Sequence, residues 1–330
     1  MIMSSSVIQN RRQPYLDQAA YDGTIVHLNE DNLILQDTLS SHAGNPLERS
    51  RDLDVIAQKL WFRFQLNYTA GASLSDLALK LGNVVGAYED FVAELANVSD
   101  EQYFTPFALD DLIDIYVDYV NLLSCAILLH REDLIPRIYG LIEGTDYDGE
   151  DAVIEELFRF FLPDRPALDQ WIWDKPYRLL LDAIDEVDDL SRIKCMKKYV
   201  KSWYPAMKGQ AIFWGKHEKI SDDFSPYNGY WAMCSSAFTY LYAIDDASYR
   251  NEIVYPKDLV DYARSIPRNP VIHGEGELVL RVIGGDRCVK EGVWFTPAQQ
   301  SSARHFFVGE IMPIVDSAEY GTTTWQWRST

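Results

Sequence analysis

Residues 229–264, GYWAMCSSAFTYLYAIDDASYRNEIVYPKDLVDYAR, decide the fold class. From Tyr230 to Tyr242 so few side chains are polar that a helix there must be buried from several directions. Asp245 and Asp246 break that apolar run. Pro256 then sits where a first-turn proline opens a second helix, with Asp258 near its positive end. Pro267 stops that helix, because the residue before a proline is pushed out of helical conformation. A helix that is apolar all round needs other helices to cover it.

Helical periodicity runs through most of the preceding chain. Residues 53–68 are amphipathic and aromatic-rich, and Ser73 followed by Asp76 resembles a capping box opening a helix with Leu77, Leu81, Val84, Val85 and Tyr88 on one side. Residues 106–131 repeat the pattern, and shorter helices are expected over 152–161, 176–187 and 191–204. Residues 1–50 read as polar and irregular, with a short strand or turn of helix within 24–35. Beyond Pro267, alternating or aromatic runs within 274–286, 292–296, 305–312 and 322–328, separated by glycine and proline, read as a small antiparallel sheet. The expected fold is mainly α: a multi-helix array or bundle with a small C-terminal antiparallel β appendage. Its expected parts are an irregular segment over 1–50, a helical domain over 51–265 with an internal boundary near 165–175, and a β-rich module over 266–330.

The chain has 330 residues and a net charge of −20, unevenly placed. Residues 100–189 hold 23 acidic and 6 basic side chains, whereas 190–219 hold 8 basic and 1 acidic. Such a field repels nucleic acid and anionic membranes and steers basic partners in. The basic stretch has its apolar residues at helical spacing, so it reads as a helix with one buried face rather than a nucleic-acid site. The longest apolar candidate for a membrane span, residues 112–129, is interrupted by Asp114 and Asp118. The N-terminus lacks the apolar core of a secretory signal, so the cytoplasm is the expected compartment and the two Asn-X-Ser/Thr sequons are chance matches. Cys125, Cys195, Cys234 and Cys288 are far apart and read as free thiols.

Nothing in the chain reads as a nucleophile motif, phosphate loop, metal-ligand spacing or cofactor fingerprint. No catalytic residue, metal site or cofactor is therefore expected. The acidic clusters carry the remaining signal. Asp110, Asp114 and Asp118 recur every four residues and are expected to form one stripe on the 106–131 helix. Asp182, Asp185, Glu186 and Asp189 make a similar stripe, and Asp146, Asp148 and Glu150, with Asp151, Glu155 and Glu156, crowd the segment between. Like charges four apart cost a few tenths of a kcal/mol each on an isolated helix, so repeated stripes call for internal cations or an external basic partner. The internal candidate is the basic stretch 192–219. Divalent metal for phosphoryl chemistry is the remote alternative, since hard oxygen donors suit Mg²⁺.

Several segments carry a family resemblance. Gly229-Tyr230-Trp231, Ile244-Asp245-Asp246, Ser248-Tyr249-Arg250 and the run from Tyr255 through Tyr262 resemble the C-terminal domain of PoNi-type immunity proteins. The segment from Trp203 to Gly209 is similar to a W-Y-x-x-M-K-G segment of that family, and Asn67-Tyr68-Thr69-Ala70-Gly71 to its N-terminal domain. The chain departs from the family pattern at Ala232, where an acidic residue often follows the tryptophan. The tail segments 292–298, 306–313 and 320–327 resemble the C-terminal module of immunity families seventy-one and seventy-two. The resemblance implies binding rather than catalysis: an immunity protein that neutralises a DNase toxin of a type VI secretion or related polymorphic-toxin system. Its implied partner is a cognate, basic toxin, with no nucleic acid and no membrane. On this reading Asp110, Asp114, Asp118, Asp146, Asp148, Glu150, Asp182, Asp185, Glu186 and Asp189 are the candidate partner contacts. A helical adaptor that loads an effector without inhibiting it is the runner-up, and a metal-dependent hydrolase the third reading.

Overall fold

The computed structural model describes residues 7–98, 104–266, 281–288, 290–296, 299, 302–315 and 323–328. Eleven α-helices precede the strands among these residues: α1 (Val7–Asn10), α2 (Gln18–Ser41), α3 (Pro46–Thr69), α4 (Leu74–Leu95), α5 (Ile113–Leu128), α6 (Ile135–Gly140), α7 (Ala152–Phe158), α8 (Asp174–Asp185), α9 (Asp189–Ala206), α10 (Met233–Leu241) and α11 (Lys257–Ser265). Strands β1 (Arg281–Ile283), β2 (Gly292–Phe295), β3 (Arg304–Phe306) and β4 (Thr324–Arg328) form one antiparallel sheet in the order β1-β4-β2-β3. The mainly α fold with a small C-terminal β appendage is the one expected.

One hydrophobic core spans residues 16–263 and draws on every helix from α3 to α11. At its centre α10 packs on α5, with eight of its nine residues buried. The α3–α4 hairpin turns through Gly71, whose φ of 93° is one that side chains avoid. Ser73 caps α4 by accepting from the Asp76 amide, as its spacing predicts. α5 is shorter than the expected 106–131 helix. Thr105 bonds the Phe107 amide and carbonyl across Pro106, holding a turn, and Leu112 is extended, so the helix starts at Ile113. It ends where His130 adopts a φ of 54° and the Arg131 amide reaches back to Ala126. The regular part of α8 begins at Pro176 as expected, since Lys175 is non-helical. Pro256 stands one place before α11 rather than inside its first turn.

The N-terminal segment departs from the expectation. Residues 18–41 are a 24-residue helix, α2, capped by the Asp17 carboxylate on the Ala20 amide. Only Ala20, Thr24 and Leu28 of α2 are buried, too few to print a periodic apolar stripe on the sequence. Ahead of it, Gln13 is buried and fastened to residues 227–253. Its Nε2 donates to the carbonyls of Tyr230 and Ile253, both at 2.7 Å, and its Oε1 accepts from the Tyr230 amide at 2.9 Å and from the Tyr227 hydroxyl. Arg12 adds an ion pair with Asp258.

The sheet has its own small core of Val282, Cys288, Trp294, Phe306, Met312 and Trp325. Leu278, Leu280, the 273–277 loop and residues 320–322 of the resembling tail lie outside the described residues.

Candidate functional site

The acidic residues separate into fold ligands and surface groups. Asp114 accepts from the Ile212 and Phe213 amides at 2.9 and 3.0 Å, one on each carboxylate oxygen. Asp118 accepts from Trp61 Nε1 at 2.8 Å and Gln65 Nε2 at 3.0 Å, and burial pushes its carboxyl up to about 6 against those two bonds. Asp110 precedes α5 and accepts from the Tyr147 hydroxyl, which burial and that bond raise to about 12. The expected stripe of Asp110, Asp114 and Asp118 therefore does not form: the first residue is off the helix and the other two are engaged inside the fold.

The central cluster is also largely internal. Arg165 bonds both oxygens of Glu155 and one of Asp148. Burial works against the Asp148 carboxylate, yet the Gly144 amide and Arg165 prevail and hold it below its ordinary range. Asp151 caps α7 and accepts from the Val153, Ile154 and Ile172 amides and the Tyr116 hydroxyl, while burial lifts it to about 6. Glu150 accepts from Gln170, and Asp146 is exposed. Neutralisation thus comes chiefly from arginines and backbone amides near these acids. The basic stretch 192–219 supplies few ion pairs among the described residues, Arg192 with Asp189 and Lys201 with Glu252.

The corner between α8 and α9 differs. α8 buries Tyr177, Leu180, Leu181 and Ile184 and leaves Asp182 on its outer face, where partial desolvation still raises the carboxyl and Arg178 and Lys198 oppose the rise. Asp188 caps α9 through the Ser191 amide, a bond that lowers its carboxyl. Glu186 is half-buried, its carbonyl held by Arg192 at 3.1 Å, and Asp185 is also half-buried. Between these acids stand two large apolar side chains, Val187 at 73% and Leu190 at 80% exposure. Leaving each in water forgoes about 1.5–3 kcal/mol of burial that a partner can restore. Apolar anchors ringed by charge are how protein interfaces concentrate binding energy. The structure therefore brings Asp182, Asp185, Glu186 and Asp189 together with Val187, Asp188 and Leu190, which the sequence did not single out. Leu190 was hidden by its spacing: it continues the apolar series Ile193, Met196 and Val200 by one turn, and reads as core.

The residues carrying the resemblance are scaffold. Asp246 is buried and accepts from Arg264 at 3.1 Å, Arg250 at 3.2 Å and the Tyr255 hydroxyl at 3.1 Å. Trp231 donates to Thr69 Oγ1 at 2.8 Å and packs edge-on against Tyr68, whose hydroxyl reaches Asp258 at 2.6 Å. Trp203 and Tyr204 stack on Phe213 and Trp214. Residues 149–259, which hold most of this scaffold, match the family described as PoNe immunity proteins (PoNi), C-terminal.

That segment is a PoNi domain. The PoNi family implies an immunity protein that neutralises a toxin. The α8–α9 corner lies inside the matched PoNi segment. The chain is also similar in fold to Protein PA2201 from Pseudomonas aeruginosa, with a TM-score of 0.57 and 21% identity over 77% of this chain and 91% of that one. No curated protein matches it. Among the described residues no helix is long and apolar enough to cross a membrane, and no cluster of three or more His, Cys, Asp or Glu is placed to hold a metal ion.

Proposed function

We propose that this chain neutralises a nuclease effector of a type VI secretion system by occluding its active site or substrate-binding surface in the cytoplasm of the producing cell. The observation that carries the mechanism is the pair Val187 and Leu190, exposed among Asp182, Glu186, Asp188 and Asp189. A nuclease presents basic side chains to phosphate, so an acidic corner is attracted to the same surface its substrate uses. The two apolar side chains then supply contact energy that charge alone does not. Asp146, Asp110 and Glu150, on other surface segments, are secondary contact candidates. The similarity of the tail to immunity families seventy-one and seventy-two belongs to the same reading.

The test is the nuclease activity of the purified product of the neighbouring gene, taken as the toxin candidate and measured with and without added protein. Loss of activity near one equivalent supports the reading. Stable binding with activity intact makes the chain an adaptor and overturns it.

A further inference from the structure

A cavity of about 660 Å³ opens between α2, α3, α5 and the segment 212–229, away from the α8–α9 corner. That size and its aromatic walls, among them Trp61, Phe107, Phe213 and Trp231, are those of a small-ligand site. Three polar side chains of α5 line it, Asp114, Asp118 and Asn121, and the last two stand a single turn apart on one face. Both donors to Asp118 bond the same oxygen, Oδ1, and Oδ2 has no hydrogen bond among the described residues. Asn121 is only 5% exposed and gives its Nδ2 to the Trp231 carbonyl at 3.2 Å, while its Oδ1 likewise accepts no hydrogen bond among the described residues. Both oxygens are open to the cavity, so the pair offers two free acceptors that suit a ligand rich in N–H groups.

The charge of the lining sets the rest. Asp114 is engaged by two amides, Asp31 pairs with Lys59, and Lys216 is the other cation on the wall. Three carboxylates against two ammonium groups leave room for one positive charge, not several, and disfavour an anion. Aromatic faces favour the same sign by cation–π attraction. We propose that this cavity binds an organic monocation through a guanidinium or primary ammonium head on an aliphatic stem. The head donates to Asp118 Oδ2 and Asn121 Oδ1, and the stem lies along the aromatic walls. Such a group comes either as a free small molecule or as an arginine or lysine side chain of a partner. This inference does not depend on the toxin reading.

The experiment titrates n-butylguanidinium and n-butylammonium into the full chain, with butyrate and n-butanol as controls, and follows the Trp61 and Trp231 indole N–H signals by NMR. Saturable shifts with either cation, at least about tenfold tighter than with the controls, are expected. Asp118→Asn should weaken binding about tenfold or more. Ile212→Trp, which places bulk on an exposed lining residue whose amide bond to Asp114 is unaffected, should abolish it. The second variant keeps the test decisive if the first fails to fold. Absence of saturable shifts in the wild-type chain, equal binding of butyrate, or undiminished binding by both variants overturns the proposal. Once probe binding is shown, the toxin's affinity for Ile212→Trp tells the sources apart: a fall identifies a partner side chain, and no change a free cation.

Discussion

Gln13 and Tyr230 are joined by two hydrogen bonds running in opposite directions, Nε2 to the Tyr230 carbonyl at 2.7 Å and the Tyr230 amide to Oε1 at 2.9 Å. The side chain thereby satisfies both backbone groups of Tyr230, in the way a paired strand would. Gln13→Ala leaves these groups buried without partners and also removes the bond to the Ile253 carbonyl. The expected cost is about 2–4 kcal/mol of unfolding free energy, measured by urea denaturation. A loss below about 0.5 kcal/mol would mean that the N-terminal segment is not anchored there.

Gly229 makes a second such point. Its φ is 122°, and a Cβ there would lie 2.1 Å from Trp231 Nε1 and 2.3 Å from Thr69 Oγ1. Those two atoms are themselves hydrogen-bonded, so neither can yield cheaply. Gly229→Ala should destabilise the fold by more than about 2 kcal/mol, seen as a lower melting temperature, whereas Gly44→Ala, where a Cβ meets nothing, should lie within about 0.5 kcal/mol of wild type.

These two positions show how much could be read in advance. Pro176, Ser73 with Asp76, and the apolar run through α10 mark helices by local rules that need no tertiary context, and the fold class follows from them. Helix α2 does not announce itself, because Val26, Leu33 and Ile34 stay exposed and blur the face on which Tyr21, Ile25 and Leu28 meet the core. Gln13 reads as a polar tail residue because its partners lie more than two hundred positions away. The acidic stripes mislead in one place and inform in another. Spacing cannot tell that Asp114 and Asp118 meet amides and an indole from other segments, whereas the 182–189 acids stand at a corner.

Asp118 and Asp151 give the protein a particular pH dependence. Burial raises both carboxyls to about 6 in the folded chain, above about 3.9 in an unfolded one. The folded state therefore binds protons more tightly, and the stability they contribute is full below about pH 4 and lost as pH rises through about 6. Asp118→Asn removes one such group. Its stability relative to wild type should increase by about 1–3 kcal/mol between about pH 4 and about pH 8, measured by denaturation at both. A decrease over that range would show that the Trp61 and Gln65 bonds outweigh burial.

Charge at the α8–α9 corner should act mainly on the rate of association. Replacing Asp182 and Asp189 by Asn should slow toxin binding several-fold at low salt, with the difference shrinking as salt is added. Stopped-flow association at two ionic strengths checks this. An unchanged rate would make these acids a solvated face.

The most direct test of the toxin-binding account is a titration of the purified cognate nuclease with the wild-type chain and with Val187→Asp/Leu190→Asp. Both side chains are exposed, so the variant should fold with wild-type stability to within about 0.5 kcal/mol. The account predicts full inhibition near one equivalent of wild type, and at least about a hundredfold more of the variant for the same effect. Equal inhibition by a folded variant would contradict the assignment of the corner as the toxin-binding surface.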